Sequence, residues 1–256
     1  MARGYRGQFW FRSFVLLWWC LVHTEYCAIL PRTTHVNLPY MSWTRAPSPE
    51  APRRGYHHGN LREALIQAAQ ELIRAKGPAG FTIAEAARLA GVSPAAPYRH
   101  FPDAESLLAE VATRGFDLFH DRLAAALASS PADPARAAET VGRAYLAFAR
   151  DEPAFYATMF EARVARDPYP GLQAAGDRSF GVLRALAERL SAAARIQPRP
   201  PALMIALHLW STAHGTAALF GRADASRRPL PMSAEDLLEA SLLIYLQGLG
   251  ITASSS

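Results

Sequence analysis

Apolar residues recur at intervals of three and four through most of the chain after residue 60, which is the spacing of an amphipathic α-helix. Clusters of proline, glycine, serine and aspartate interrupt this pattern at 129–134, 167–171, 197–201 and 221–232. Between the breaks, the pattern predicts helices at about 103–128, 135–150, 152–164, 172–194, 201–220 and 234–249. No segment alternates apolar and polar residues as a half-buried strand does, so the predicted fold is all-α.

The stretch from Thr82 to Phe101 predicts two short helices joined by a tight turn. Thr82 and Glu85 have the spacing of a capping box, in which each side chain accepts a hydrogen bond from the other residue's backbone N–H. Gly91 ends the first helix, because a left-handed backbone angle costs glycine little. The apolar stripe of this helix is expected to comprise Ile83, Ala86, Ala87, Leu89 and Ala90.

The second helix is predicted to begin at Ser93, a preferred N-cap residue, with Pro94 in the first helical position. Val92 is expected to fill the space between the two helices, and Ala87 is small where their axes cross. Pro97 lacks the N–H that would bond to the Ser93 carbonyl, so we expect a tight or partly 3₁₀ turn there.

This arrangement has the layout of a helix-turn-helix, which places its second helix in a DNA groove. The side chains that project from the second helix are small or polar: Ser93, Ala95, Ala96, Tyr98, Arg99 and His100. Alanine can contact a thymine methyl group, and tyrosine and histidine can donate to phosphate oxygens. The alternative is a helical hairpin inside an all-α core, with Tyr98 half-buried and His100 capping the next helix.

The flanking segments favour DNA binding over the hairpin, because a cationic arm ahead of a helical unit is suited to phosphate. The arm carries Arg53, Arg54, His57 and His58. Asn60, after the arm, can cap the helix that precedes the two short helices. Asp103 can cap the long helix predicted at 103–128. The apolar faces of those two helices are expected to contain Leu61, Ala64, Leu65, Ala68, Leu72 and Ile73, and then Leu107, Leu108 and Val111.

Three ordered motifs, Tyr-His-His-Gly-Asn-Leu-Arg at 56–62, Gly-Val-Ser-Pro at 91–94 and Tyr-Arg-His-Phe-Pro-Asp at 98–103, resemble the N-terminal domain of the TetR family of bacterial transcriptional regulators. The resemblance implies an all-helical homodimer that binds a palindromic double-stranded DNA operator and represses transcription until a small-molecule effector binds. It also implies phosphate contacts by Tyr98 and His100. The expected DNA-contacting residues are Arg53, Arg54, His57, His58, Thr82, Ser93, Pro94, Ala95, Ala96, Tyr98, Arg99 and His100.

One position departs from the family pattern. The family often has a phosphate-contacting lysine after the Pro-Asp pair, whereas this chain has Ala104 followed by Glu105. We therefore expect the arginine arm to carry more of the electrostatic attraction to DNA, with salt-sensitive binding.

Trp210, His214 and Gly215 resemble the Trp-His-Gly type of C-terminal domain found in some TetR regulators. Trp210 and His214 lie one helical turn apart, either on a ligand-pocket wall or as a core or dimer-interface pair packed around Gly215. Aromatic residues at helical spacing are more often core, which favours the second interpretation. The candidate pocket residues are Phe148, Phe155, Tyr156, Met159, Phe160, Trp210 and His214.

The last two predicted helices are long and apolar, and in this family such a pair forms a four-helix bundle with its mate. Their apolar residues include Leu203, Leu207, Trp210, Leu237, Leu238, Leu242, Leu243, Leu246 and Leu249. The predicted organisation is an N-terminal extension and arm at 1–54, a helix-turn-helix domain at 55–102, a ligand-binding and dimerisation domain at 103–250, and a tail at 251–256. The net charge of +5 suits an anionic partner but is weaker evidence than the local arm.

Residues 9–22 form an apolar, aromatic run that is too short for a membrane-spanning helix. We expect translation to begin at Met41, which precedes a proline-rich leader, and residues 1–40 to be neither signal nor anchor. Both cysteines, Cys20 and Cys27, lie before Met41, so a cytoplasmic protein without disulfides is expected. The alternative is a membrane-tethered helical interaction protein, which would require residues 9–22 to be translated.

An enzyme is not expected, since the sequence has no nucleophile elbow, phosphate-binding glycine loop, His-Glu-x-x-His motif or cysteine pair for metal. His57 and His58 are adjacent and would face apart on a helix, so no metal site is expected from them. No cofactor is predicted.

Overall fold

The structure is a computed structural model that describes residues 61–130, 133–220 and 232–251. Within those ranges all regular structure is helical, which confirms the predicted fold class. Single-turn 3₁₀ helices lie at Pro78–Gly80 and Pro97–Arg99. The α-helices are α1 (Leu61–Lys76), α2 (Ile83–Leu89), α3 (Ala104–Ala128), α4 (Pro134–Asp151), α5 (Pro153–Phe160), α6 (Pro170–Ala193), α7 (Ala202–Phe220) and α8 (Ala234–Gly248).

The ends of the helices predicted between residues 103 and 249 agree with the structure to within about two residues, except for the helix expected at 152–164. That helix, α5, ends at Phe160, because the Ala162 N–H donates back to the Ala157 carbonyl and Arg163 takes a left-handed φ of 54°. The Asp103 cap of α3 is confirmed, and Ser106 completes a capping box with it. The expected Asn60 cap lies outside the described residues.

Helix α2 begins at Thr82, whose hydroxyl accepts from the Glu85 N–H at 3.3 Å. The second half of the predicted capping box is wrong. The Glu85 carboxylate instead accepts from Lys76 at 2.6 Å and from the Thr82 hydroxyl at 2.7 Å, because α1 brings an ammonium group beside it. These hydrogen bonds lower the pKa of Glu85.

A Schellman turn ends α2, as the glycine predicted. Gly91 has φ 73°, its N–H donates to the Arg88 carbonyl, and the Val92 N–H donates to the Ala87 carbonyl at 3.0 Å. Ile83, Ala86 and Ala87 are buried as expected. Leu89 was expected in the same stripe, but as the last residue of the helix it is 49% exposed.

No α-helix begins at Ser93, which corrects that part of the sequence prediction. The Ala96 N–H donates to the Ser93 carbonyl in a turn, and a 3₁₀ helix follows from Pro97 to Arg99. Pro97 is buried and has no N–H, so the bond that would continue an α-helical turn is missing. Residues 93–100 are hereafter called the recognition segment.

Two hydrophobic clusters form the interior of the described residues, and α3 belongs to both. Leu107 and Val111 pack with α1 and α2 in the first cluster. Phe116, Phe119 and Leu123 pack with α4 to α8 in the second. The recognition segment is therefore joined, through the start of α3, to a helix that continues into the C-terminal core.

Helices α7 and α8 leave apolar side chains uncovered on one side, which we call the α7/α8 face. Its exposed members are Leu203, Met204, Leu207, Leu243 and Ile244. Next to them, the rings of His208 and Tyr245 stack at 3.7 Å and join the two helices. Helix α7 is also the one described helix whose length and composition would suffice for a membrane span. Such helices also occur in the cores of water-soluble proteins.

Gly91→Ala should lower the free energy of unfolding by about 1 kcal/mol, because an L-residue is strained at a φ of 73°. Gly181→Ala is the matched control. It lies inside α6 with open space around its α-carbon, so alanine should raise stability by up to about 1 kcal/mol. Urea denaturation would measure both changes. Equal effects of the two substitutions would contradict the assigned strain at Gly91.

Candidate DNA-binding surface and ligand cavity

The recognition segment presents its side chains to solvent. Tyr98 is 55% exposed, and Ser93, Pro94, Ala95, Arg99 and His100 are also exposed, with Ala96 partly covered. His100 is not the cap of the next helix, since Asp103 and Ser106 perform that role. The hairpin alternative is therefore disfavoured. The predicted arm residues Arg53, Arg54, His57 and His58 lie outside the described residues.

Thr82 is also exposed, but its hydroxyl is already used at the start of α2. It accepts from the Glu85 N–H and donates to the Glu85 carboxylate. A DNA contact by Thr82 remains a prediction, and it would have to use the hydroxyl's remaining lone pair or the methyl group.

A chain of ion pairs holds α1 against α3. Arg62 contacts Glu110 at 2.7 Å, Glu110 contacts Arg114 at 3.0 Å, and Arg114 contacts Glu63 at 2.7 Å. Burial alone would raise the pKa of Glu110, but the hydrogen bonds from Arg62 and Arg114 lower it below its usual range. The carboxylate is therefore ionised at neutral pH, and it pairs the first turn of α1 with the second turn of α3.

The residue after Ala104 makes a contact between segments distant in sequence. The Glu105 carboxylate, in the first turn of α3, accepts from the Ala165 N–H at 3.0 Å. Ala165 belongs to the segment between α5 and α6, residues 161–169, which we call the connecting loop. The start of α3 is thus bonded to a loop of the C-terminal helices.

A cavity of about 240 Å³ lies among α3, α5, α6, α7 and the connecting loop. Phe160 and Trp210, two of the predicted pocket residues, contribute to its wall, and the rings of Phe180 and Trp210 meet edge to face at 6.1 Å. The full lining comprises Phe116, Phe119, Phe160, Arg166, Gly176, Asp177, Ser179, Phe180, Leu183, Leu207 and Trp210. Most of this surface is aromatic or aliphatic, as in sites for small apolar ligands.

Three of the other predicted pocket residues pack in the core instead of lining this cavity. Phe148 is fully buried against Phe119, with ring centroids 4.8 Å apart. Phe155 and Met159 pack on Gly115 of α3, where an added β-carbon would lie 2.8 Å from the Met159 sulfur. The missing side chain at Gly115 allows α5 to approach α3 closely.

His214 is the centre of a polar cluster behind the cavity. Its Nδ1 lies 2.9 Å from the Tyr156 hydroxyl and 3.0 Å from the Tyr145 hydroxyl. The Trp210 ring lies 6.1 Å from the His214 ring, centroid to centroid, so the cluster adjoins the cavity wall. A β-carbon added at Gly215 would meet no other atom of the described residues within 4 Å, so their side chains do not pack around it. The structure thus places Trp210 on the cavity and His214 towards the interior.

Tyr145 was missed in the sequence, although it is 1% exposed. The available signal was a phenol within the apolar face of α4, because a buried tyrosine hydroxyl needs a partner. Burial raises the pKa of Tyr145 well above its usual value and lowers the pKa of His214, which the Glu161 charge raises in part. At neutral pH the cluster is therefore uncharged. Within the described ranges, no three His, Cys, Asp or Glu side chains are arranged to hold a metal ion.

Two family models match the chain. Residues 65–111 match the model described as bacterial regulatory proteins of the tetR family, and residues 138–243 match the tetracyclin repressor-like C-terminal domain. Together they account for more than half of the 256 residues. The chain belongs to the TetR family of transcriptional regulators. The match at 65–111 covers most of α1, α2, the recognition segment and the beginning of α3, so this part of the chain is its DNA-binding domain.

Solved TetR-like structures share the fold. A protein of unknown function from Rhodococcus sp. RHA1 is 28% identical, with a TM-score of 0.63 over 77% of this chain and 98% of that one. The TetR family regulator PfmR from Thermus thermophilus is 22% identical, with a TM-score of 0.57 over 72% and 97%. AibR, in complex with isovaleryl coenzyme A and operator DNA, is 18% identical, with a TM-score of 0.57 over 72% and 97%. No curated protein sequence matches.

His214→Gln should make the free energy of unfolding less sensitive to acid. A partly buried imidazole with a lowered pKa binds fewer protons in the folded state than in the unfolded state. The wild-type protein should therefore lose stability as pH falls below the ordinary histidine pKa of 6.5, and the variant should lose less. Urea denaturation from about pH 7.5 to about pH 5.5 measures the difference.

Tyr145→Phe is the control, because it removes a hydroxyl partner but keeps the partly buried imidazole, so its acid sensitivity should resemble that of the wild type. A His214→Gln variant that loses more stability in acid than the wild type would show that the pKa of His214 is raised instead.

Proposed function

We propose that this TetR regulator represses transcription by binding a palindromic operator as a homodimer, and that a small molecule in the C-terminal cavity releases it from DNA. The observation that carries the proposal is the exposed recognition segment, which follows α2 and leads directly into α3. On this proposal the protein works in the cytoplasm, where its operator is located. AibR, whose structure contains both a ligand and operator DNA, supports combining these two activities in one chain.

The α7/α8 face supports the homodimer. Ile244 is 70% exposed and Met204 is 60% exposed, although both are large apolar residues. A contiguous apolar patch of this kind is unfavourable in water and marks an interaction site. Two copies of the same face, related by a twofold axis, would cover each other as a four-helix bundle.

Helix α3 supports the coupling between ligand and DNA. Its start is capped directly after the recognition segment, and its middle supplies Phe116 and Phe119 to the cavity wall. The Glu105 to Ala165 hydrogen bond gives a second connection, through the connecting loop. A ligand that favours a different position of α3 would change the spacing of the two recognition segments and weaken DNA binding by the same factor as DNA weakens ligand binding.

Tyr98→Phe and His100→Ala should each weaken operator binding about three- to tenfold, and they should weaken non-specific DNA binding by a similar factor. Contacts to phosphate position the protein without reading bases, and one hydrogen bond to a charged group contributes about 1 kcal/mol or more. Fluorescence anisotropy with operator and scrambled duplexes would measure both factors. Arg184→Ala, which removes an exposed charge from α6, is the control and should have little effect. A change in base preference would contradict a phosphate contact.

Ile244→Glu should convert the dimer to a monomer and reduce operator affinity, because it places a charge in the centre of the α7/α8 face. Sedimentation velocity at micromolar concentration would report the mass. Leu89→Glu changes an equally apolar, exposed residue outside that face and should leave the mass unchanged. A wild-type monomer that still binds its operator specifically would overturn the homodimer.

A further inference from the structure

Arg166 lies on the cavity without a carboxylate partner among the described residues. Its guanidinium carbon is 5.6 Å from the centroid of the Phe116 ring, in a cation–π contact. The guanidinium also approaches α6 at Gly176, where an added β-carbon would lie 3.4 Å from its Nη1. By contrast, the nearby Arg122 and Arg178 pair with Glu152 and Asp117. The charge of Arg166 is thus held at the cavity by a ring and a helix backbone.

Little else on the cavity wall remains available for polar contacts. The Ser179 hydroxyl lies within hydrogen-bonding distance of two backbone carbonyls, those of Phe116 at 2.8 Å and Ala175 at 2.9 Å. The Trp210 indole carries a single N–H, which is a neutral donor. Arg166 and Asp177 are therefore the charged groups that a ligand in this cavity would meet, and the remaining lining is aromatic and aliphatic.

The two charges differ in how they are placed. Arg166 is oriented by Phe116 and Gly176, so its planar fork of N–H donors is arranged before a ligand arrives. Both side chains are exposed to solvent, but no hydrogen bond or ion pair within the described residues orients Asp177. A group that pairs with Arg166 would lose less side-chain freedom than one that pairs with Asp177.

We propose that the cavity binds a small amphipathic anion, whose apolar body lies among the phenylalanine rings and whose carboxylate accepts hydrogen bonds from the Arg166 guanidinium. A cavity of about 240 Å³ is larger than the roughly 150 Å³ cavity that accommodates benzene, so an apolar body of roughly ten non-hydrogen atoms fits. This assignment rests on the proposed ligand-released regulator and names the chemical class of its effector.

The test compares three probes that share one body and differ in charge: 3-phenylpropionate, 3-phenyl-1-propanol and 3-phenylpropylamine. Isothermal titration calorimetry with the full chain should show the acid binding about tenfold more tightly than the alcohol, and the amine most weakly. Arg166→Gln should remove the preference for the acid and leave the affinity for the alcohol unchanged. Arg166→Lys keeps the charge but not the fork, so it should keep a smaller preference.

Two further variants make the test specific. Arg163→Gln removes a cation from the same connecting loop, at a residue that does not line the cavity, and should keep the full preference for the acid. Asp177→Asn removes the competing carboxylate and should tighten binding of the acid about two- to threefold. Three results would each overturn the proposal. The wild-type protein could bind acid and alcohol equally, or it could bind none of the probes. It could also prefer the amine and lose that preference in Asp177→Asn.

The same probes separate this proposal from the regulatory function. 3-Phenylpropionate could bind through Arg166 but leave operator affinity unchanged in an anisotropy titration. That result would support the anion site and contradict the release of DNA by this class of ligand. If the alcohol releases DNA as readily as the acid does, the ligand-released repressor is supported and the proposed role of Arg166 is contradicted.

Discussion

The packing of one helix in two hydrophobic clusters is the constraint on which the rest of the structure depends. Leu107 and Val111 bind α3 to the DNA-binding domain, and Phe116 and Phe119, within the same helix, bind it to the C-terminal core. Gly115 lies between these pairs and lets α5 approach closely. Because close-packed interiors do not deform continuously, a displacement of α3 in one cluster must be matched in the other.

The polar contacts around α3 complement that packing, and they are weak enough to be exchanged. The Arg62, Glu110, Arg114 and Glu63 chain is partly exposed, and ion pairs of that kind contribute about 0 to 1 kcal/mol each. The single hydrogen bond from Ala165 to Glu105 is of similar size. The hydrophobic clusters therefore determine which arrangements of α3 are possible, and contacts of this size determine which arrangement is preferred.

Features set by neighbours in sequence could be predicted, whereas those set by distant residues could not. The left-handed Gly91, the Asp103 cap and most helix ends follow from local rules, and the structure confirms them. The sequence could not show that Lys76 donates a hydrogen bond to the Glu85 carboxylate. Nor could it show that the helix expected to reach residue 164 ends at Phe160 and is followed by the loop that contains Arg166. In the candidate site, the aromatic residues of α4 and α5 all fit an apolar pattern. Only the three-dimensional packing shows that Phe160 lines the cavity and that Phe148 lies in the core.

Leu207 belongs to two surfaces at once. It lines the cavity, and it is 43% exposed on the α7/α8 face. In a dimer formed on that face, the wall between a bound effector and the neighbouring subunit would be one side chain thick. Filling one cavity would then alter the surface on which the second subunit rests, so the two effector sites of a dimer would not be independent. Their saturation would be cooperative, and its steepness would depend on the size of the side chain at this position.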